Sequence, residues 1–287
     1  MERRARAVAG TGAALLLLLA ACTPATPPTP DRSAATQGQP VTLPPTGGVF
    51  DYQLGGPSER VAEKGPVPTV VERDSSATAL PGAYNICYVN GFQTQPDETE
   101  AWKQHSDLLA QDADGALLVD PEWPDEHILD PSTPWQREGI LALVEPVIAS
   151  CAERGFDAVE IDNLDTFERF ASIDRSGAFA LAADYVRVAH RHALAIGQKN
   201  AAGATQRARS IGFDFAVTEE CGAFDECGEY REAYGEHVLQ IEYPGSLQRS
   251  GKTFDEVCAT PDRAPLTILR DVELVPVGQA GRRYEQC

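Results

Sequence analysis

Two short stretches carry residues whose types and spacing suit acid–base chemistry. The first, Gly155-Phe156-Asp157-Ala158-Val159-Glu160-Ile161-Asp162-Asn163-Leu164-Asp165, is an apolar run that ends in acids. Side chains of an extended chain alternate faces, so Glu160 and Asp162 share one side while Val159 and Ile161 share the other. Acids on a face of a buried strand cost free energy unless a partner or a reaction uses them. The second stretch, Phe213 to Cys221, is built the same way, with Phe215-Ala216-Val217 leading into Thr218-Glu219-Glu220. Two carboxyl groups flanking one bond can split it hydrolytically: one protonates the leaving oxygen, the other attacks or stabilises the carbon left behind. Simpler readings stand beside this one. Asp162-Asn163 also has the composition of a helix cap, and alternation alone does not choose between the adjacent Glu219 and Glu220. Glu160, two residues deeper than Asp162, reads as its support.

The elements that must position these acids are strands in regular alternation with helices. Short β-type runs fall at Val49–Leu54, Thr69–Arg73, Tyr84–Val89, Ala158–Ile161, Ala195–Gln198, Phe213–Val217, Val238–Glu242 and Leu266–Leu269. Gln136–Arg154 has helical periodicity, with Ile140, Leu141, Val144, Val147, Ile148 and Cys151 on one face, and so does Ala178–Ala193. Such alternation implies a parallel sheet covered by helices, and eight strands is the count of a (β/α)8 TIM barrel. No glycine-rich phosphate loop follows a strand, which speaks against an open dinucleotide-binding sheet. Ala116–Val119 competes as a further strand. In a barrel the chemistry sits at the C-terminal strand ends. Here those ends read Asp51 and Gln53; Glu72 and Asp74; Tyr88 and Asn90; Glu160, Asp162 and Asn163; Lys199 and Asn200; Glu219 and Glu220; Glu242 and Tyr243; Arg270 and Asp271. A ring of carboxylates, amides and aromatics suits a polyhydroxylated substrate.

The N-terminus implies export. Arg3, Arg4 and Arg6 precede a short apolar run ending in Leu19-Ala20-Ala21-Cys22. The run is short for a membrane span and has the form of a signal peptide. Leu-Ala-Ala-Cys resembles a bacterial lipobox, which makes residues 1–21 a lipoprotein signal peptide and Cys22 the lipidated residue of a cell-surface protein. Residues 22–48, rich in Pro and Thr, read as a disordered tether, and 49–287 as a single catalytic domain. Six cysteines remain beyond Cys22, an even number in an exported chain. Cys221 with Cys227 closes a short loop, Cys258 with Cys287 pins the tail, and Cys87 and Cys151 read either as a pair or as buried thiols. The histidines lie in no metal-ligand pattern, so neither metal nor cofactor is expected. The net charge of −19 disfavours nucleic acid and anionic lipid as partners, leaves membrane contact to the lipid anchor alone, and favours a cationic substrate. A monomer is expected.

Taken together, several blocks resemble the endo-α-1,4-polygalactosaminidases of glycoside hydrolase family 114. They are Cys87-Tyr88, Trp123-Pro124-Asp125-Glu126, the stretch from Gly155 to Asn163, Gly197-Gln198-Lys199-Asn200, Phe213 to Cys221, and Ile241-Glu242-Tyr243. The resemblance spans roughly Phe50 to Asp271. It implies a (β/α)8 barrel that cleaves internal bonds of galactosamine-rich polysaccharide, with Asp162 and Glu219 as the catalytic pair. Glu219 is expected as acid/base and Asp162 as nucleophile or stabiliser. Tyr88, Trp123, Glu160, Asn163, Lys199, Asn200, Glu242 and Tyr243 are the expected substrate-binding residues. Thr218 stands where the family usually has Asn, and Phe50-Asp51 where it usually has Trp. The rival readings are a non-catalytic carbohydrate-binding lipoprotein and a hydrolase of another polysaccharide on the same barrel.

Overall fold

A computed structural model describes residues 40–96 and 98–287; the expected signal peptide and Cys22 lie outside the described residues. Eight parallel strands follow one another in sheet order: β1 (Phe50–Gln53), β2 (Val70–Asp74), β3 (Tyr84–Asn90), β4 (Ala158–Asp162), β5 (Ala195–Lys199), β6 (Phe215–Glu219), β7 (Val238–Glu242) and β8 (Leu266–Arg270). A short β9 (Tyr284–Gln286) runs antiparallel on β8. The protein is a single α/β barrel, as its alternating runs imply. Ala116–Val119 contributes no barrel strand. Leu117 and Val119 make only isolated bridges within a long excursion between β3 and the helix at Pro134–Glu153.

The strands divide their side chains as the period of two requires. Phe50, Tyr52, Ile86, Ala158, Val217, Ile241 and Ile268 fill the barrel interior. Val159, Ile161 and Ile196 face outward into a second core with Ile140, Val144 and Ile148 of the helix Pro134–Glu153. That helix starts with Thr133 as N-cap in a capping box with Gln136 and Pro134 in the first turn, which satisfies its first amides. The helix Arg175–Arg191 starts on Asp174, whose carboxylate accepts from the Gly177 N–H. Gly197 on β5 is needed for packing: a Cβ there would lie 2.5 Å from the Phe215 ring, which fills the interior two residues below Lys199.

The barrel seam between β8 and β1 is bridged by side chains. Tyr284 donates its hydroxyl to the Phe50 carbonyl (2.8 Å), and Gln286 bonds Phe50 N and the Gly48 carbonyl. Fully buried Arg270 reaches across to Asp51 Oδ1 at 2.6 Å, and Arg282 holds the other oxygen at 3.0 Å. The packed chain also starts ahead of Val49. Residues 40–48, which the sequence places in the tether, lie against the barrel: Val41 and Leu43 pack on the interior cluster, and the Thr42 carbonyl accepts from Tyr84. Three disulfides join Cys87 to Cys151, Cys221 to Cys227 and Cys258 to Cys287. The first resolves the open pairing and crosslinks the outer face of β3 to the helix Pro134–Glu153 over 64 residues. Closing a loop of that length stabilises by about 4 kcal/mol in the chain-entropy model. A Cys87→Ala, Cys151→Ala double variant should therefore lose about 2–4 kcal/mol in urea denaturation, whereas an unchanged midpoint would mean the crosslink constrains nothing.

Candidate active site

Strands β4, β5 and β6 each end in a sharp turn that delivers a charged side chain to the barrel mouth. Asn163, Asn200 and Glu220, the residues that follow these strands, all have left-handed backbone, with φ of 65°, 47° and 65°. Asn adopts this region more readily than most residues. The strand-final Asp162, Lys199 and Glu219 thereby stay on the interior face at its C-terminal rim.

Lys199 is at the centre. Its ammonium is buried to 3% exposure and lies 3.2 Å from Glu219 Oε2, 3.7 Å from Asp162 Oδ2 and 3.8 Å from Glu160 Oε1, and it donates to Tyr52 Oη at 2.8 Å. Burial opposes its charge, but Asp162, Glu160 and Glu219 outweigh that and hold its pKa well above the usual lysine value. Glu219 also receives Tyr243 Oη at 2.5 Å and Asn200 Nδ2 at 3.1 Å, and its own amide donates to Asn200 Oδ1 at 2.8 Å. Burial pushes its carboxyl up, yet Lys199 and these donors prevail and hold it below the usual range. Glu219 therefore rests as an anion, the state of a nucleophile or of the base half of an acid/base residue. Asp162 accepts Tyr88 Oη at 2.7 Å and the Asn163 N–H at 2.7 Å.

Below this layer, Glu72 and Glu160 are fully buried side by side. None of their four oxygens meets a hydrogen-bond donor, so they satisfy each other only by sharing a proton. Burial raises Glu72 to about 7; burial and then the Glu72 charge push Glu160 well above its ordinary value. The pair thus retains a proton at neutral pH and leaves Lys199 to the two acids above.

The expected binding residues separate into groups. Tyr88, Glu160, Asn163, Lys199, Asn200 and Tyr243 converge on Asp162 and Glu219. Asn163 does so as a spacer, donating to Asn90 Oδ1 at 2.9 Å and accepting from Arg169 at 2.8 Å. Glu242 does not converge. On β7 the inward residues are Leu239, Ile241 and Tyr243, so Glu242 points outward, where it accepts from the Gly222 and Ala223 amides and Gln240. It fastens the turn closed by the Cys221–Cys227 disulfide and is a structural residue. Trp123 sits on the excursion's Asp120–Glu126 turn with 55% of its surface exposed, while Glu126 from the same block turns inward and accepts Asn90 Nδ2 at 3.0 Å. Sequence reasoning gave no role to Glu126, Tyr52, or Arg169 with Asp120, although Glu126 lay within the Trp123-Pro124-Asp125-Glu126 block and Tyr52 within the first strand run.

A barrel whose mouth gathers two carboxylates on one lysine, beside tyrosine and amide donors, has the groups that glycoside hydrolysis uses. The chain belongs to glycoside-hydrolase family GH114, whose model matches residues 30–287. No curated protein sequence matches it significantly. Among solved structures it is similar to Aspergillus fumigatus Ega3 in complex with galactosamine, with a TM-score of 0.65 and 17% identity over 87% of this chain and 98% of that one. It is also similar to the glycoside hydrolase domain of PelA from Pseudomonas aeruginosa, with a TM-score of 0.55 and 14% identity over 80% of this chain and 98% of that one. Both likenesses show the shared barrel.

The buried carboxyl pair makes stability depend on pH. Between the unfolded carboxyl value of 4.5 and about 7, folded Glu72 holds a proton that the unfolded chain has released, so its contribution falls as pH rises through that window. Glu72→Gln keeps the volume without the charge. It should flatten the wild-type decline between pH 5 and 7.5 by on the order of 2–3 kcal/mol in pH-dependent denaturation. Parallel curves for the two proteins would mean that Glu72 carries no proton.

Proposed function

We propose that this GH114 glycosidase cleaves internal α-1,4-galactosaminidic bonds of a galactosamine-rich polysaccharide with Asp162 and Glu219 as its working pair. The observation that carries the pair is their common contact with one lysine nitrogen, at 3.7 and 3.2 Å. That shared contact limits their facing oxygens to about 7 Å apart, which favours a retaining pair, near 5 Å, over most of the roughly 6.5–9.5 Å inverting range. One carboxyl protonates the glycosidic oxygen while the other engages the anomeric carbon, and water then completes the hydrolysis. Lys199 couples the two, because a proton gained by either leaves the ammonium to the other.

The substrate class rests on family membership, on the galactosamine that the Ega3 structure holds, and on charge: a chain of net −19 attracts a polymer bearing free amines. The location we propose is the cell surface, through a lipid on Cys22, in keeping with three disulfides of the kind that form outside the cytoplasm.

Asp162→Asn and Glu219→Gln should each lower kcat on α-1,4-linked galactosamine polymer by on the order of a thousandfold with little change in KM. The first product of the wild type should keep the α configuration by proton NMR. Release of reducing ends undiminished in either variant would remove that residue from the pair, and a β product would exclude the retaining reading.

A further inference from the structure

Glu126 is a third carboxylate at the mouth, and the pair does not account for it. It lies on the excursion after β3, yet several bonds fix it. Its amide donates to the Trp123 carbonyl, and its own carbonyl accepts from Asp120 N. Asp120 in turn is held by Gln93 Nε2 at 2.9 Å and by Arg169. Its Oε2 accepts from Asn90, the residue directly opposite Asp162 in the β3–β4 ladder, so a single side chain separates the two acids.

The cations nearby are committed elsewhere. Arg169 spends its guanidinium on Asp120, Asp165 and Asn163, and Lys199 faces Glu160, Asp162 and Glu219. Glu126 makes no ion pair among the described residues. Its Oε1 accepts no hydrogen bond from them either, and the side chain keeps 8% exposure at the mouth. Burial first, and then the Asp162 charge, raise its carboxyl to about 7. A carboxylate held rigidly beside another, with one free oxygen and no cation, gains most from a ligand that brings a cationic donor.

We propose that Glu126 is a specificity-determining residue: Oε1 receives the protonated amine of a sugar bound beside Asp162, so the site selects free-amine over N-acetylated units. This rests on the galactosaminidase reading above and adds the group that recognises the amine. An N-acetyl group presents a neutral amide with one donor and added bulk, so it neither neutralises the carboxylate nor fits the same approach.

The test compares wild type, Glu126→Gln and Glu126→Asp on α-1,4-linked galactosamine oligomers and on their N-acetylated counterparts, with thermal midpoints as a control for folding. Glu126→Gln should raise KM on the free-amine oligomers on the order of tenfold or more, with a smaller change in kcat. The free-amine to N-acetyl ratio of kcat/KM should collapse by the same factor, and Glu126→Asp should recover part of it. An equal loss on both substrates, or a loss confined to kcat, would overturn the inference and make Glu126 structural or catalytic. Wild type that cleaves neither substrate would refute the galactosaminidase reading itself and the inference with it. A second measurement needs no variant: galactosamine should inhibit the wild type at lower concentration than N-acetylgalactosamine, and equal inhibition would contradict amine recognition.

Discussion

One buried ammonium organises the mouth of this barrel. Lys199 stands at 3% exposure among Glu160, Asp162 and Glu219, with Tyr52 as a further partner. Three carboxylates around one lysine would be unstable in a medium of low dielectric, because their mutual repulsion exceeds what a single cation offsets. The structure relieves this with the proton shared by Glu72 and Glu160 and with neutral donors from Tyr88, Tyr243 and Asn200. The charge state of the site is thus built from the floor upward: a protonated carboxyl pair, a lysine above it, and two acids at the rim. An amide reaches Glu219 from Asn200 on the neighbouring strand end, whereas the residue before Glu219 is Thr218.

The scaffold around that centre is fastened where a barrel is weakest. Among the described residues no helix covers the links from β1 to β2 and from β2 to β3, and the seam between β8 and β1 has no backbone ladder. Buried Arg270, the β9 side chains and the Cys258–Cys287 disulfide hold the C-terminal tail across that seam. The Cys87–Cys151 bond ties the strand bearing Tyr88 and Asn90 to the helix that precedes β4. Both anchors support strands that contribute to the mouth, so rigidity of the outer layer bears on the geometry of the acids.

What could be read from sequence follows the physics of each residue. The eight strands were legible because buried parallel strands are continuous apolar runs, and Glu160 with Asp162 were legible because they interrupt one on alternate positions. Glu242 was misplaced for the same reason that β7 was easily found: Val238 to Ile241 is buried on both faces, so the sequence does not say which parity faces inward. Glu126 was passed over because the excursion has no periodicity, and its position depends on Arg169 reaching Asp120 from beyond β4. The Cys87–Cys151 pairing joins a strand to a helix 64 residues later, a connectivity that spacing does not encode. Residues 40–48 looked like tether from their prolines, yet Val41 and Leu43 supply enough apolar surface to dock.

The central claim is that Lys199 binds Asp162 and Glu219 into one electrostatic unit. A double-mutant cycle of Lys199→Met and Glu219→Gln, read as unfolding free energy at pH 7, tests it most directly. Removing the lysine alone should destabilise by about 3 kcal/mol or more, because it leaves buried carboxylates unpaired. Adding Glu219→Gln should then cost less than it does in the wild type, with a coupling of about 1 kcal/mol or more. Strict additivity of the two substitutions would contradict the account.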